Sequence, residues 1–188
     1  MGIEEKIDID VFKVVTRAIA EAENLELMTG HLSQLLVVAL GIKGCSIFAL
    51  NHESQELEIL GSFGLSVGYV NKGPVLSAKS IARTVKGEPI VVTDTSNSDL
   101  LQYPQEAIVE GVRAVVSLPI TLHGRVIGAL RLYHYDVWEV SERDLDSLML
   151  LAEIIGLALM YTRLRYALLS VKETTNEIHT VWLEPFGV

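Results

Sequence analysis

The chain has 188 residues, 49% of them hydrophobic and 21% charged, which suits one globular domain with helical extensions. Its formal net charge of −9 at pH 7 argues against binding to nucleic acid or to an anionic membrane surface. The single cysteine excludes an intramolecular disulfide, and the sequence shows neither a signal-peptide pattern nor an unbroken apolar run of membrane length. We therefore expect a cytoplasmic protein.

Two helices are predicted at the start of the chain. Apolar residues recur at helical spacing over residues 9–22, and a second helix is predicted over residues 25–40, with Gly41 as its C-cap. The first helix lies outside the expected domain core, so its apolar stripe needs cover. A partner subunit is the simplest candidate, and we assign residues 1–24 to an N-terminal extension that contains a dimerisation helix.

The middle of the chain predicts three strands and two short helices. The strands are expected over residues 45–50, 56–63 and 89–94, and the helices over residues 78–86 and 104–110. Ser77 would cap the first short helix, and Pro104 suits the first turn of the second. Residues 64–75 and 95–110 contain many glycine, proline and polar residues, so we expect them to form irregular cover over one face of a sheet.

Residues 113–133, RAVVSLPITLHGRVIGALRLY, predict a hairpin of two apolar strands. His123-Gly124 suits a two-residue turn with positive φ, because glycine takes that conformation freely and histidine tolerates it. Counting outward from this turn pairs Val116 with Arg131 and Ser117 with Leu130. Both faces are mostly apolar, which indicates a central hairpin that is covered on both sides.

A long helix is predicted over residues 141–168. Between Leu148 and Tyr161 it is apolar almost all round, with Glu153 as the only charge, which indicates burial on more than one side. One side would lie on the sheet, and the other would meet a second subunit. We therefore expect a homodimer formed through helices 9–22 and 141–168.

Residues 170–188 are predicted to form a C-terminal tail, because the sequence turns polar over residues 172–177. Two aromatic residues, Trp182 and Phe186, lie near its end. They are candidates for docking a separate signalling output protein, or they fold back on the domain.

The order of these elements resembles a GAF domain over roughly residues 10–166. The resemblance is carried by Leu118-Pro119 in the first hairpin strand, the glycine turn, the sequence VIGAL at residues 126–130, and the helix that opens Ser-Glu-Arg-Asp at residue 141. It implies an α+β fold with a central antiparallel sheet of five to six strands. Long N- and C-terminal helices would pack on one face, and short helices and loops would cover the other. Residues 25–169, including the long helix, would form the domain.

The resemblance also implies where a ligand would lie, because GAF domains commonly hold a small molecule between one sheet face and the loops over it. Here those loops are residues 64–75 and 95–110. The candidate ligand-binding residues are Phe48, Thr93, Asp94, Thr95, Ser96, Leu100, Tyr103, Ile108, Ser117 and Arg131. The polar run 94–99 is equally typical of caps and turns, in which Asp and Ser side chains bind local amides.

Three single residues have two interpretations each. Arg131 would favour an anionic ligand beside a cavity, although the interpretation we favour is an arginine near a strand end that reaches water or pairs with Asp or Glu. His134 is a candidate ligand of haem iron, and a structural histidine at a strand end is more typical. Cys45 is more typical of a small core residue than of a nucleophile.

Signatures of several GAF subfamilies are missing. Asn71-Lys72 continues as Gly73-Pro74 and not as the Asn-Lys-Phe-Asp-Glu signature of cyclic-nucleotide-binding members. The segment 95–111 contains no cysteine beside a histidine for bilin attachment. One cysteine cannot both attack a sulfoxide and form an intramolecular disulfide, as free-methionine sulfoxide reductases do. No haem signature is found either, so we assign no catalytic residue, metal or cofactor.

The sequence therefore predicts a non-catalytic GAF-type signalling module. It would bind a small molecule, a protein partner or both, and it would dimerise through its terminal helices. Two alternatives remain open. One is a small GAF-fold enzyme with a redox or acid–base site, and the other is a structural dimerisation domain without a ligand.

Overall fold

A six-stranded antiparallel sheet with the strand order β3-β2-β1-β6-β5-β4 forms the centre of the fold. The computed structural model describes residues 7–73, 75–76 and 83–183. The strands are β1 Gly44–Asn51, β2 Glu56–Phe63, β3 Val75–Leu76, β4 Ile90–Val92, β5 Ala114–Leu122 and β6 Arg125–His134. The predicted α+β architecture is confirmed. Most of the helix predicted over residues 78–86, with its cap Ser77, lies outside the described residues.

Three long helices form a layer on one face of the sheet: α1 Ile9–Glu21, α2 Leu25–Leu40 and α5 Glu142–Leu183. Helix α2 packs on β1 and β2, α5 packs on β5, and α1 packs on α2 and α5. Val11 and Val15 of α1 are buried in the same core cluster as Leu32 and Leu36 of α2. The inner stripe of α1 is thus covered within the chain, where we expected a partner subunit to cover it.

Helix α5 begins where the sequence predicts and ends later. The Ser141 hydroxyl accepts a hydrogen bond from the Asp144 amide at 3.0 Å, while the Asp144 carboxylate accepts one from the Ile7 amide at 3.1 Å. The helix continues to Leu183 and not only to residue 168. Residues 169–183 contain neither glycine nor proline, so their polarity alone does not end the helix. Phe186 lies outside the described part of the chain.

The central hairpin has the predicted turn but a different register. His123 and Gly124 both have positive φ, 50° and 72°. The register shifts between Ile120 and Thr121, and Ser117 therefore pairs with Arg131. The predicted pairings were wrong by one residue because a bulge inserts an extra residue into one strand, which the count from the turn ignores. Beyond the bulge, each β6 side chain therefore lies on the sheet face opposite to the one that the count from the turn predicts.

The second face of the sheet carries Phe48, Ser117, Arg131 and Tyr133, and short elements cover it. These elements are α3 Val67–Val70, α4 Pro104–Glu110, and 3-10 turns at Thr84–Lys86 and Thr95–Asn97. We call the described residues 64–73, 84–86 and 95–110 the lid. Val75, which we expected in this cover, belongs instead to the edge strand β3 of the sheet. The sheet thus lies between a helical layer and the lid, as the sequence predicts.

Candidate functional site

Four polar side chains form a row across the lid face of the sheet. Ser62 of β2 pairs with Ser46 of β1, Ser46 pairs with Arg131 of β6, and Arg131 pairs with Ser117 of β5. The hydroxyl oxygens of Ser46 and Ser62 lie 3.0 Å apart. Ser46, Ser117 and Arg131 are all buried. We call these four residues the polar row, and it crosses a face that is otherwise largely apolar or aromatic.

Arg131 lies in the middle of this row and is only 4% exposed. It is flanked by β1 and β5 and covered by the lid, and its guanidinium carbon lies 5.5 Å from the centre of the Tyr133 ring. The interpretation in which Arg131 reaches water from a strand end is therefore wrong, while its pairing with Asp or Glu stays a prediction. Burying a charged group is costly unless its surroundings compensate for the lost water.

A second cation, Lys72, faces the same region from the lid. Its Nζ donates to the Tyr69 carbonyl at 2.8 Å and lies 3.6 Å from the centre of the Tyr69 ring. The Tyr69 ring in turn meets the Tyr133 ring edge-on, with 5.8 Å between their centres. Burial, and then the charge of Arg131, lower the pKa of Lys72 to about 8. Lys72 and Arg131 are therefore close enough to oppose each other's charge.

Sequence reasoning missed Lys72 as a site residue, although a signal was present. Lys72 is the only charged residue between Gly64 and Leu76. A lone cation in an otherwise uncharged segment that is expected to cover a sheet face is a candidate for an inward-facing group.

The lid is fastened at one end by Glu110, the last residue of α4. Its carboxylate accepts hydrogen bonds from the amide of Ser66, at 3.0 Å, and from the Ser66 hydroxyl, and it lies 3.4 Å from the Lys43 ammonium. Burial opposes ionisation of Glu110, but the hydrogen bonds from Ser66 and the charge of Lys43 hold its pKa below the ordinary value. We call this arrangement the clasp, because it joins α3, α4 and the loop before β1.

A cavity of about 320 Å³ opens between α3 and α4, next to the clasp. Tyr69 and Glu106 are among the residues that line it. Tyr69 thus borders this cavity and also contacts Lys72.

The structure brings some of the predicted ligand-binding residues together. Ser117 and Arg131 are adjacent in the polar row, and the Ser117 hydroxyl accepts a hydrogen bond from Thr84 of the lid at 3.3 Å. The Tyr103 ring lies 5.8 Å from Lys72. Phe48 is on the same sheet face but packs in a separate cluster with Leu57 and other apolar residues.

The other predicted residues lie in a turn or at the surface. Asp94 accepts a hydrogen bond from the Ser96 amide at 3.0 Å, and the Thr95 hydroxyl donates to the Val112 carbonyl at 2.8 Å. Thr93 is exposed, and Leu100 and Ile108 are 48% and 56% exposed. The run 94–96 thus has the local hydrogen bonds of a capped turn, and a role for these residues in ligand binding stays a prediction.

Cys45 and His134 both lie in surroundings that are typical of residues with a structural role. Cys45 is fully buried beneath the helical layer, and burial raises the pKa of its thiol to about 12. The Nδ1 atom of His134 accepts a hydrogen bond from the Asp136 amide at 2.9 Å, and the ring packs against Trp138. Among the residues that the structure describes, no three His, Cys, Asp or Glu side chains cluster as metal ligands would.

Helix α5 presents a stripe of exposed apolar residues on the side away from the sheet. The side chains of this stripe are each 55% to 70% exposed, and they are Leu157, Tyr161, Leu164, Leu168 and Val171. They follow one another at intervals of four and three residues, which is the spacing of a coiled-coil seam. We call these five residues the outer stripe. Sequence reasoning missed this spacing because α5 is apolar on nearly every side in its first half.

Residues 142–172 of α5 are also long and apolar enough to cross a membrane by length and composition. Core helices of soluble proteins meet the same criterion, and 44% of the apolar window is buried inside the domain. The packing of α5 on β5 accounts for that burial.

These features define an α+β domain with an antiparallel sheet between a helical layer and a lid. The family model of the GAF domain matches residues 22–160, and the chain therefore belongs to the GAF domain family. GAF domains are signalling and sensory modules that are typically soluble and generally regulatory, without catalytic activity.

Solved structures share this fold at low sequence identity. The GAF domain of a phosphoenolpyruvate-protein phosphotransferase from Coxiella burnetii matches with a TM-score of 0.74 and 20% identity, over 85% of this chain and 96% of that one. A free methionine-R-sulfoxide reductase from Neisseria meningitidis, in complex with its substrate, matches with a TM-score of 0.68 and 17% identity, over 87% and 98%. No curated protein matches the sequence.

A bacteriophytochrome from R. palustris also matches, with a TM-score of 0.68 and 13% identity, over 98% of this chain and 44% of that one. These similarities show the fold alone. The free methionine-R-sulfoxide reductase is itself an enzyme, so the fold by itself does not separate regulation from catalysis.

Proposed function

We propose that this chain is a non-catalytic, cytoplasmic regulatory module that binds a small molecule between the lid and the polar row. The proposal rests on strand β6, whose successive side chains face the lid and the helical layer in turn. Arg131 faces the lid, while its neighbours Leu130 and Leu132 belong to the core cluster of the helical layer, together with residues of α5. One strand therefore connects the candidate ligand site to the longest helix.

The mechanism we propose is a shift between two populations. A ligand that binds better when the lid is ordered would favour that state. The accompanying adjustment of β6 would change how α5 packs on the sheet. Helix α5 continues beyond the sheet to Leu183, so it could carry the change to a separate signalling output protein. The tail residues 170–188 are the proposed contact with that protein.

We further propose that the module forms a homodimer through its terminal helices, 9–22 and 141–168. The outer stripe supports this proposal, because two copies of α5 would bury each other's exposed apolar residues in a parallel pair. The sequence extends the same spacing through Thr175, Ile178 and Trp182. A second copy is therefore a better match for the stripe than a flat partner surface.

A pair of substitutions tests the dimer. Leu168 is 70% exposed and lies on the stripe, while Ser170 is exposed and lies off it. Leu168→Glu places a charge in the seam, so we expect monomers by analytical ultracentrifugation, whereas Ser170→Glu adds the same charge and should leave a dimer. A wild-type monomer, or equal dimerisation by both variants, would refute the proposed interface.

Native mass spectrometry of the freshly purified protein tests the ligand. We expect an added mass that is released on denaturation, and hydrogen exchange in the lid that slows when the ligand is present. Protein without added mass, whose lid exchange does not respond to a library of nucleotides, amino acids and small anions, would instead support the ligand-free structural dimer.

A further inference from the structure

Two positive charges flank the contacting rings of Tyr69 and Tyr133 on the lid face, and we call this buried region the enclosure. Arg131 is buried in the sheet, and the half-buried Lys72 approaches it from the lid. Like charges in a region of low dielectric repel each other more strongly than they do in water. An arrangement that holds two cations together is therefore most stable when a negative charge lies between them.

Hydrogen-bond donors surround the same place. Ser46 and Ser117 flank Arg131 on the neighbouring strands, and hydroxyl groups rotate to donate to an anion. Guanidinium groups bind carboxylates and phosphates through two parallel hydrogen bonds. Tyr69 and Tyr133 add aromatic walls. The enclosure thus combines apolar walls with a few convergent polar groups, as small-molecule sites do.

We propose that the ligand carries an oxyanion group, a carboxylate or a phosphate, which binds between Lys72 and Arg131 with the hydroxyls of Ser46 and Ser117 as further donors. This inference rests on the proposed function, because it assumes that the site under the lid takes a ligand. It adds the chemical class of that ligand.

Calorimetric titration at low salt tests the class with three probes: inorganic phosphate, succinate and the uncharged diamide succinamide. The variants are Arg131→Met and Lys72→Met, and Lys13→Met is the matched control, since it removes one positive charge from the exposed surface of α1. We expect phosphate or succinate to bind and succinamide not to bind. Removing either site cation should weaken binding about tenfold or more, while the control changes it less than about twofold.

The pH dependence provides a second readout. The pKa of Lys72 is lowered to about 8 by burial and by Arg131, while Glu106 and Glu110 act in the opposite direction. A bound anion favours the protonated amine, so affinity should fall as the pH rises through about 8. Lys72→Met should remove most of this dependence, because Arg131 stays charged throughout this range.

The possible results distinguish a wrong ligand class from the absence of a ligand site under the lid. Comparable binding of succinamide, or unchanged oxyanion binding in both site variants, would overturn the oxyanion proposal. A neutral molecule found by native mass spectrometry, with no binding of phosphate or succinate at millimolar concentration, would overturn the class and leave the proposed function standing. No bound mass and no binding of any probe would overturn both. The better-bound oxyanion distinguishes a phosphorylated ligand from a carboxylic acid.

Discussion

The close contact between α2 and the sheet predicts opposite changes in stability for alanine substitutions at two glycines, Gly61 and Gly30. Gly61 of β2 lies directly beneath the backbone of α2. A Cβ atom on Gly61 would stand 2.5 Å from the carbonyl carbon of Thr29 and 2.8 Å from the amide nitrogen of Gly30. The Thr29 hydroxyl also donates to the Leu60 carbonyl at 2.7 Å, so the helix cannot move away without breaking that bond. Gly61→Ala should therefore destabilise the protein.

The magnitude follows from what each methyl group would meet. Overpacking a well-packed contact costs about 1–3 kcal/mol, and here the obstructing atoms belong to the backbone. The matched control is Gly30→Ala, whose Cβ would have no atom within 4 Å apart from its chain neighbours and the backbone of its own helix. Alanine is favoured over glycine inside a helix by about 0.8–1 kcal/mol, so this variant should be more stable than wild type. The two variants should differ by about 2–4 kcal/mol.

Urea unfolding followed by circular dichroism measures both variants. Both replacements lower the conformational entropy of the unfolded chain, so this contribution to stability cancels when the two variants are compared. In thermal unfolding, each kcal/mol should move Tm by about 2–4 °C for a chain of this size. If Gly61→Ala were as stable as Gly30→Ala, α2 would not lie as close to β2 as the structure places it, and the reasoning would be refuted.

Two further predictions concern the clasp and the thiol. Glu110→Gln keeps the size of the side chain but removes its charge, and we expect a loss of about 1 kcal/mol and faster hydrogen exchange in α3. Because the folded protein holds the pKa of Glu110 below its ordinary value, the clasp stabilises the protein at pH values above that ordinary pKa, and this stabilisation is lost as the pH falls through the lower folded pKa. Glu110→Gln should flatten this part of an acid-unfolding curve, and an unchanged curve would contradict the assignment. Cys45 should resist alkylation in the folded protein and react at the normal rate in denaturant, because burial raises the pKa of its thiol to about 12; rapid labelling of folded protein would reopen the thiol-enzyme alternative.

Local sequence was sufficient for most elements of the fold. The apolar spacing of residues 9–22 and 25–40 predicted α1 and α2, and Gly41 ends α2 with φ 60° as a C-cap glycine does. His123-Gly124 predicted the hairpin turn, because few residue pairs adopt positive φ at adjacent positions. These features depend on the backbone preferences of a few neighbouring residues, which a sequence states directly.

Contacts between distant residues decided the candidate site. The bulge in β6 gives no clear local signal, yet it determines that Arg131 lies beside Ser117 and faces the lid. Lys72 and Arg131 are 59 positions apart in the sequence numbering, and only the packing of the lid on the sheet brings their charges together. The sequence by itself determined most of the elements and the resemblance to the family, because both follow from local pattern. The tertiary structure decided which polar groups share one enclosure, because that depends on register and on the cover that each face receives.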